Sequence, residues 1–291
     1  MSNMIAIHPK ELSTSQLHGY LLGAVGPRPI AFASTMDKNG RPNLSPFSFF
    51  NVFSANPPVL IFSPARRVRD NTTKHTLENV LATKEVVINV VNYDMVQQMS
   101  LASTEYGEGE NEFIKSGLTM VPSDVVSPFR VGESPVQFEC KVTKVESLGE
   151  EGGAGNLIFS EVVKIHINKS ILDPQGGIDQ SKIDQVARMG GNWYSRAKVG
   201  MFEVPKPLRT QGIGVDSLPE TIRTSTVLSG NDLGMLGNVE TLPGKAEVAL
   251  FIDQHPELKN IAVKQDLHKK AKEFLMNNDV SSAWKVLMIK Q

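Results

Sequence analysis

The sequence predicts an α+β protein, mainly β with helices, in which strands come first and helices last. Three observations carry that expectation. Period-two and β-branched runs recur from residue 29 to residue 171, the pattern of half-buried strands. Pro205 and Pro207 then mark a linker-like stretch. Beyond them apolar residues fall at helical spacing. Strands followed by helices argue for segregated layers and against alternating βαβ units. The 291 residues accordingly divide into a domain over 1–200 and a helical C-terminal extension over 201–291.

Residues 29–65 read as a β-meander. Residues 30–36 alternate apolar and small side chains, and Asn39-Gly40 supplies a tight turn because both residues take positive φ cheaply. Pro46 interrupts the second strand and marks an edge or a bulge. The aromatic run Phe47, Phe49, Phe50 and Phe53 follows, then a turn at Asn56-Pro57-Pro58 and a short buried strand at 59–63. Residues 70–84 read as a helix, with Leu77, Val80 and Leu81 on one stripe and Asp70 to Thr73 as cap candidates. A β-branched strand covers 85–91, and 94–102 reads as a helix. Residues 105–112 are acidic and glycine-containing, a mobile loop. Two long β patterns, 134–148 and 156–171, flank the turn segment GEEGGAG and predict a hairpin. A short helix is expected at 180–189. In the extension, 218–228, 258–264, 266–276 and 280–288 carry helical patterns.

Composition narrows the function classes. Lys plus Arg number 30 and Asp plus Glu 31, so the net charge of −1 excludes a polybasic nucleic-acid binder and an acidic solvating chain. One cysteine excludes an internal disulfide framework and a multi-cysteine metal or cluster site. No apolar run spans a bilayer, and the N-terminus lacks the pattern of a signal peptide, so no membrane partner and a cytoplasmic location are expected. GxxxxGK[ST], GxGxxG after a strand, HExxH and GxSxG are absent, and the six histidines have no metal-ligand spacing.

Three stretches could carry chemistry. In the first, Arg66, Arg67 and Arg69 precede a predicted helix whose start carries Lys74 and Thr76. Guanidinium and ammonium groups at a helix N-terminus suit a monophosphate or diphosphate. A solvated basic loop before a capped helix has the same composition. In the second, Gly26–Thr35 and Asn43–Asn51 place small hydroxyls and amides among aromatics on neighbouring strands. That surface suits a flat heteroaromatic ring, and equally a Phe-rich barrel core. In the third, Arg188-Met189-Gly190-Gly191-Asn192-Trp193-Tyr194 allows close backbone approach to a ligand beside two aromatics, or simply stops a helix.

Taken together, GPRPIAFAST, NLSPFSFFNVFSANPPVLIFS, RDNTTKHTLENV, EFIKSGLTMVPS, SPVQFECKV and VARMGGNWY, in that order, resemble the flavin reductase-like proteins with the FMN-binding split barrel, flavoredoxin-type members included. The resemblance covers about residues 15 to 200. It implies a split β-barrel that binds FMN, with NAD(P)H as electron donor and a homodimer with FMN near the subunit interface. It assigns Ser34 and Thr35 to the strand edge facing the flavin, and Asn43, Ser45, Pro46, Phe47 and Ser48 to the ring and its polar edge. It assigns Arg66, Lys74 and Thr76 to the phosphate, with Arg67 able to replace Arg66 because the register of the doublet is open. Gly190, Gly191 and Tyr194 match a late motif near the flavin or the nicotinamide, and His166 is a candidate for the nicotinamide side, against the plainer reading of a surface strand histidine. One departure from the resemblance stands out: such proteins often carry Lys-Asp-Thr where this chain has Lys74-His75-Thr76. No catalytic side chain and no metal are expected, since the chemistry belongs to the flavin. The alternatives are an FMN-bound electron carrier reduced by a protein partner, and a flavin-binding module without turnover. A protein electron acceptor is allowed by the first two readings.

Overall fold

The computed structural model describes residues 3–107, 109–207 and 210–289. The chain divides into two units, Met1–Met201 and Phe202–Gln291, each around its own core.

The first unit begins with helix α1 (Thr14–Ala24). Ser13 and Gln16 cap it reciprocally, an S-x-x-Q signal that marks a helix start even though the helix buries none of its residues. Strands β1 (Ala31–Met36), β2 (Pro42–Phe47), β3 (Phe50–Ala55), β4 (Pro58–Phe62) and β5 (Glu85–Val90) follow, with helix α2 (His75–Thr83) before β5. Helices α3 (Val96–Leu101) and α4 (Glu112–Ser116), short strands β6 (Met120–Val121) and β7 (Arg130–Val131), and the long hairpin β8 (Val136–Ser147) and β9 (Asn156–Ile167) come next. Helix α5 (Gln180–Ile183) and a small hairpin of β10 (Val186–Arg188) and β11 (Tyr194–Arg196) complete the unit.

Seven strands form one antiparallel sheet in the order β2-β1-β5-β8-β9-β4-β3. The meander expected over 29–65 is therefore two hairpins at opposite edges of the sheet. Only Ser48 and Phe49 separate the last residue of β2 from the first of β3. Three residue steps reach about 10 Å at most, so the two outer strands must approach each other and the sheet curls into a barrel open along that seam. Alternation along β1 sets the layers. Ala31 and Ala33 face the barrel core with Phe47, Phe62, Ile88, Cys140 and Ile158, and α2 adds Leu77 and Val80 to it. Phe32 faces the opposite way, onto Met95, Met99 and Phe113. The β8–β9 hairpin forms as expected.

Two helix expectations change. The helix predicted from residue 70 starts at His75, because Asp70 caps the turn instead: its carboxylate accepts from the Thr72 backbone, and Asn71 takes a left-handed φ of 56°. The helix predicted over 180–189 stops at Ile183, where Asp184 adopts φ 49°, and the chain continues as β10.

The second unit contains α6 (Glu220–Arg223), α7 (Gly230–Gly237), α8 (Lys245–Gln254), α9 (Lys264–Met276) and α10 (Val280–Leu287). Its core joins Leu236, Phe251, Leu267, Leu275 and the fully enclosed Trp284, whose indole N–H donates to the Leu236 carbonyl at 3.0 Å. The pattern at 218–228 yields only α6, and that at 258–264 is a 3-10 turn over Pro256–Asn260. No helix among the described residues is long and apolar enough to cross a membrane.

Candidate functional site

The chain leaves β4 through Ser63 and Pro64 and is held against the β8–β9 turn. Arg66 N–H donates to the Ala154 carbonyl at 2.9 Å, and Gly153 N–H returns a bond to the Arg66 carbonyl at 3.0 Å. Gly152 permits this approach: a Cβ there would stand 3.0 Å from the Arg67 carbonyl oxygen. The loop then folds on itself, with Arg67 N–H bonding the Thr72 carbonyl and Asn71 N–H the Arg67 carbonyl.

This loop delivers four cations, Arg66, Arg67, Arg69 and Lys74, to one cavity of about 460 Å³. Its size falls in the range of small-molecule sites. Leu17, His18 and Leu21 of α1, with Phe49 from the β2–β3 corner, supply an apolar and aromatic wall. His18 stands edge-on to Phe49, ring centres 6.2 Å apart. The cations are unequally engaged. Arg66 donates to the Asn71 side chain and carbonyl at 2.6 and 2.7 Å. Arg67 bonds Glu105 at 3.0 Å and the Thr72 hydroxyl at 2.9 Å. Arg69 pairs with Asp70 at 3.0 Å and Glu105 at 2.7 Å. The Thr72 hydroxyl, then Arg69, draw the Asp70 carboxyl down to about 2. Lys74 makes no side-chain hydrogen bond or ion pair among the described residues. Burial, then the positive charge of Arg67, lowers its pKa.

Of the residues assigned to the cofactor from sequence, Arg66, Arg67 and Lys74 meet in this cavity. The Thr76 hydroxyl points inward. It accepts from the Asn43 amide at 2.9 Å, and the same amide contacts the Thr35 hydroxyl at 3.1 Å, which also accepts from Asn79. All four residues are buried, so they form a polar tie between β1, β2 and α2 and not part of the basic cavity wall. Ser34 is fully buried with its hydroxyl unpartnered among the described residues. Ser45 and Pro46 lie half-buried on β2, while Phe47 belongs to the barrel core against Phe62. Of that aromatic run, Phe49, which the sequence assignment left out, is the residue that reaches the cavity.

A second cavity of about 270 Å³ lies beside Asn43 and is lined by Asp37, Glu78, Glu110 and Glu112, with Arg41 and His75. Burial raises the Glu112 carboxyl, which still accepts from Leu44 N–H at 3.1 Å. Its surplus of carboxylates opposes an anion.

Ser48 accepts from Arg28 at 3.4 Å, and Arg28 is the residue that sequence reasoning passed over. Its guanidinium is buried and donates to the Leu22 and Val25 carbonyls at the end of α1 and to the Met189 carbonyl at 2.9 Å. Burial, then neighbouring Arg188, lowers its pKa. Arg28 thus ties α1, the β2–β3 corner and the late motif together; its signal was a charged residue held between Pro27 and Pro29. Gly190 packs on α1, where a Cβ would sit 3.2 Å from Gly23 Cα. Gly191 takes φ 56°, and the Tyr194 ring lies under Arg188 at 4.6 Å. None of these three lines the basic cavity.

His166 lies at the far end of β9 from the 153–155 turn, with its ring 2.6 Å from Glu139. Burial would raise the Glu139 carboxyl, yet backbone donors Asp124 and Val125, with His166, hold it below the usual range. Asp124 sits in the same group but pairs with Lys164.

Residues 24–185 match the family model described as the flavin reductase like domain. The chain belongs to this family. An uncharacterized protein of Aquifex aeolicus is 39% identical over 188 residues, which span 65% of this chain and 93% of that one. The crystal structure of nitrilotriacetate monooxygenase component B from Bacillus cereus superposes with a TM-score of 0.66 at 27% identity, covering 70% of this chain and 100% of that one. A putative flavin reductase with a split barrel domain from Shewanella frigidimarina gives a TM-score of 0.58 at 26% identity, covering 68% and 96%. The barrel described above is therefore the split barrel of flavin reductases, and the second unit lies outside the family match.

Proposed function

We propose that this flavin reductase family member binds FMN in the basic cavity and passes a hydride from NAD(P)H to it, the electrons going on to an acceptor. The observation that carries the reading is the pairing of an unengaged, half-buried Lys74 and three arginines with the Phe49 and α1 wall of one cavity. A phosphate monoester attached to a flat ring matches that donor set. Arg66, Arg67 and Lys74 would hold the phosphate, guanidinium groups engaging two oxygens at once and Lys74 acting as a point charge. Phe49, His18 and Leu21 would cover apolar ring surface and exclude water from it. The bound flavin supplies the hydride acceptor. The protein's task is then to orient and to shield, which needs no acid–base dyad.

A second copy of the chain completes this reading. Strand β3 is an edge strand with Val52 and Phe53 exposed, β9 exposes Val163, Ile165 and Ile167, and α1 buries nothing in one chain. Apolar surface on a sheet edge calls for a partner, and a homodimer burying these strips is the proposal.

The test is spectroscopic. Purified protein is titrated with FMN, FAD and riboflavin, then reduced anaerobically with NADH or NADPH. Rapid bleaching of the visible flavin band supports the reductase. Bleaching by dithionite alone assigns the electron-carrier role instead, and failure to bind any flavin overturns both. Solution mass at micromolar concentration tests the dimer.

A further inference from the structure

The basic cavity contains its own anion. Glu105, on the glycine-containing loop that precedes α4, places one carboxylate oxygen 3.0 Å from Arg67 Nε and the other 2.7 Å from Arg69 Nη2. It lines the same cavity as the unengaged Lys74. Both guanidinium groups are thereby bridged by a single carboxylate, in the way they would be bridged by two oxygens of a phosphate.

We propose, resting on the phosphate reading of this cavity, that Glu105 is a built-in competitor that selects terminal phosphate monoesters and yields to them. A carboxylate carries one negative charge and two oxygens. A terminal monoester carries about −1.5 to −2 charges at neutral pH and three free oxygens. The monoester can take Arg67 from Glu105, which releases Arg69 with it, and still present oxygens to Arg66 and Lys74. A ligand lacking phosphate recovers nothing for displacing Glu105, and an internal diester, with one charge on each phosphorus, recovers less. Discrimination of FMN from riboflavin and FAD is thus sharpened by repulsion from a residue of the protein, as well as by attraction to its cations. When Glu105 lets go, its loop loses the two ion pairs that pin it to residues 67–69.

The experiment uses the full chain and three proteins: wild type, Glu105→Gln, and Glu110→Gln as a control on the same loop. Glu110 pairs with Lys115 and does not line the basic cavity. Inorganic phosphate, FMN and FAD are titrated calorimetrically, and backbone hydrogen exchange of residues 103–107 and 66–74 is followed with and without phosphate. Glu105→Gln is expected to bind phosphate and FMN about three- to tenfold more tightly, the size expected of two exposed ion pairs, with a smaller FMN-to-FAD ratio. In wild type, phosphate is expected to protect 66–74 and to speed exchange at 103–107; in Glu105→Gln the second effect is absent. Glu110→Gln should match wild type. Equal or weaker phosphate binding by Glu105→Gln, or protection of 103–107 by phosphate in wild type, overturns the proposal. If FMN binding depends on Lys74 but not on Glu105, only this inference falls. If wild type binds neither phosphate nor FMN, the phosphate reading falls and takes this one with it.

Discussion

The basic and the acidic cavity are neighbours in sequence and opposites in chemistry. Lys74 lines the basic one and His75 the acidic one, while the next residue, Thr76, turns into the interior to meet Asn43. Three consecutive residues at a helix start therefore face a basic cavity, a carboxylate-rich cavity and a structural tie. Side chains project about 100° apart along a helix, so a contiguous motif need not make a contiguous site. His75, which stands where the family resemblance implies an Asp, falls on the acidic side.

The sharpest way to break this division is Lys74→Met against His75→Ala. Losing a charge-assisted bond should weaken FMN binding by about 10- to 100-fold in Lys74→Met, leaving riboflavin binding unchanged. His75→Ala should change FMN affinity by less than about twofold, as a solvated side chain outside the cavity does. The reverse ranking, read by fluorescence titration, would exchange the roles of the two cavities.

Thr76→Val tests the third direction. It leaves the buried Asn43 amide short of an acceptor and should cost about 1–3 kcal/mol in urea unfolding, with FMN affinity per folded molecule retained. A large loss of affinity at unchanged stability would move Thr76 into the binding site.

A pH titration of FMN affinity sharpens the basic side. Affinity should rise from pH 5 to 7 as the monoester takes its second charge near about 6. It should fall again below the ordinary lysine range of about 10.4, because burial and Arg67 depress the Lys74 ammonium. Lys74→Met should lose the alkaline limb and keep the acidic one.

The smallest effect belongs to the acidic side. Glu112 has a folded pKa raised by burial, so its ionisation penalises the fold once pH rises above the unfolded value, and the penalty is complete above the raised value. Glu112→Gln can still accept from Leu44 N–H. It should raise the melting temperature at pH 7 by a degree or a few, an advantage that disappears as pH falls toward about 4. A gain independent of pH would point to packing instead.

The strands were legible because each hairpin announces itself locally. Asn39-Gly40 and GEEGGAG stand between alternating runs, and both hairpins form there. The cation loop was legible for a related reason: Arg66, Arg67 and Lys74 are close in sequence and their charges need no core to explain them. The sequence pattern places the start of α2 five residues early, yet its buried stripe of Leu77 and Val80 reads correctly; what the sequence does not show is that the Thr76 hydroxyl is taken by the Asn43 amide. Helix α1 was missed although Leu17, Tyr20 and Leu21 fall at helical spacing and the Ser13–Gln16 cap marks its start; none of its residues is buried in one chain. Arg28 escaped because its main partners are backbone carbonyls, from the end of α1 and from Met189, and carbonyls leave no trace in a sequence. Cys140, the single cysteine, is fully buried on β8, and burial pushes its thiol far above the ordinary range.

The order of strands in the sheet has a consequence for how the protein is made. The outermost strands, β2 and β3, are joined by a two-residue corner, while the middle of the sheet waits for β8 and β9. Until Ile167 has left the ribosome, β4 and β5 each present an unpaired edge carrying Leu60, Ile61, Val86 and Ile88. Synthesis at about 5–20 residues per second leaves those edges open for several seconds or more, so the two halves of the barrel stay unjoined, with sheet edges exposed, until the last long hairpin zips them together.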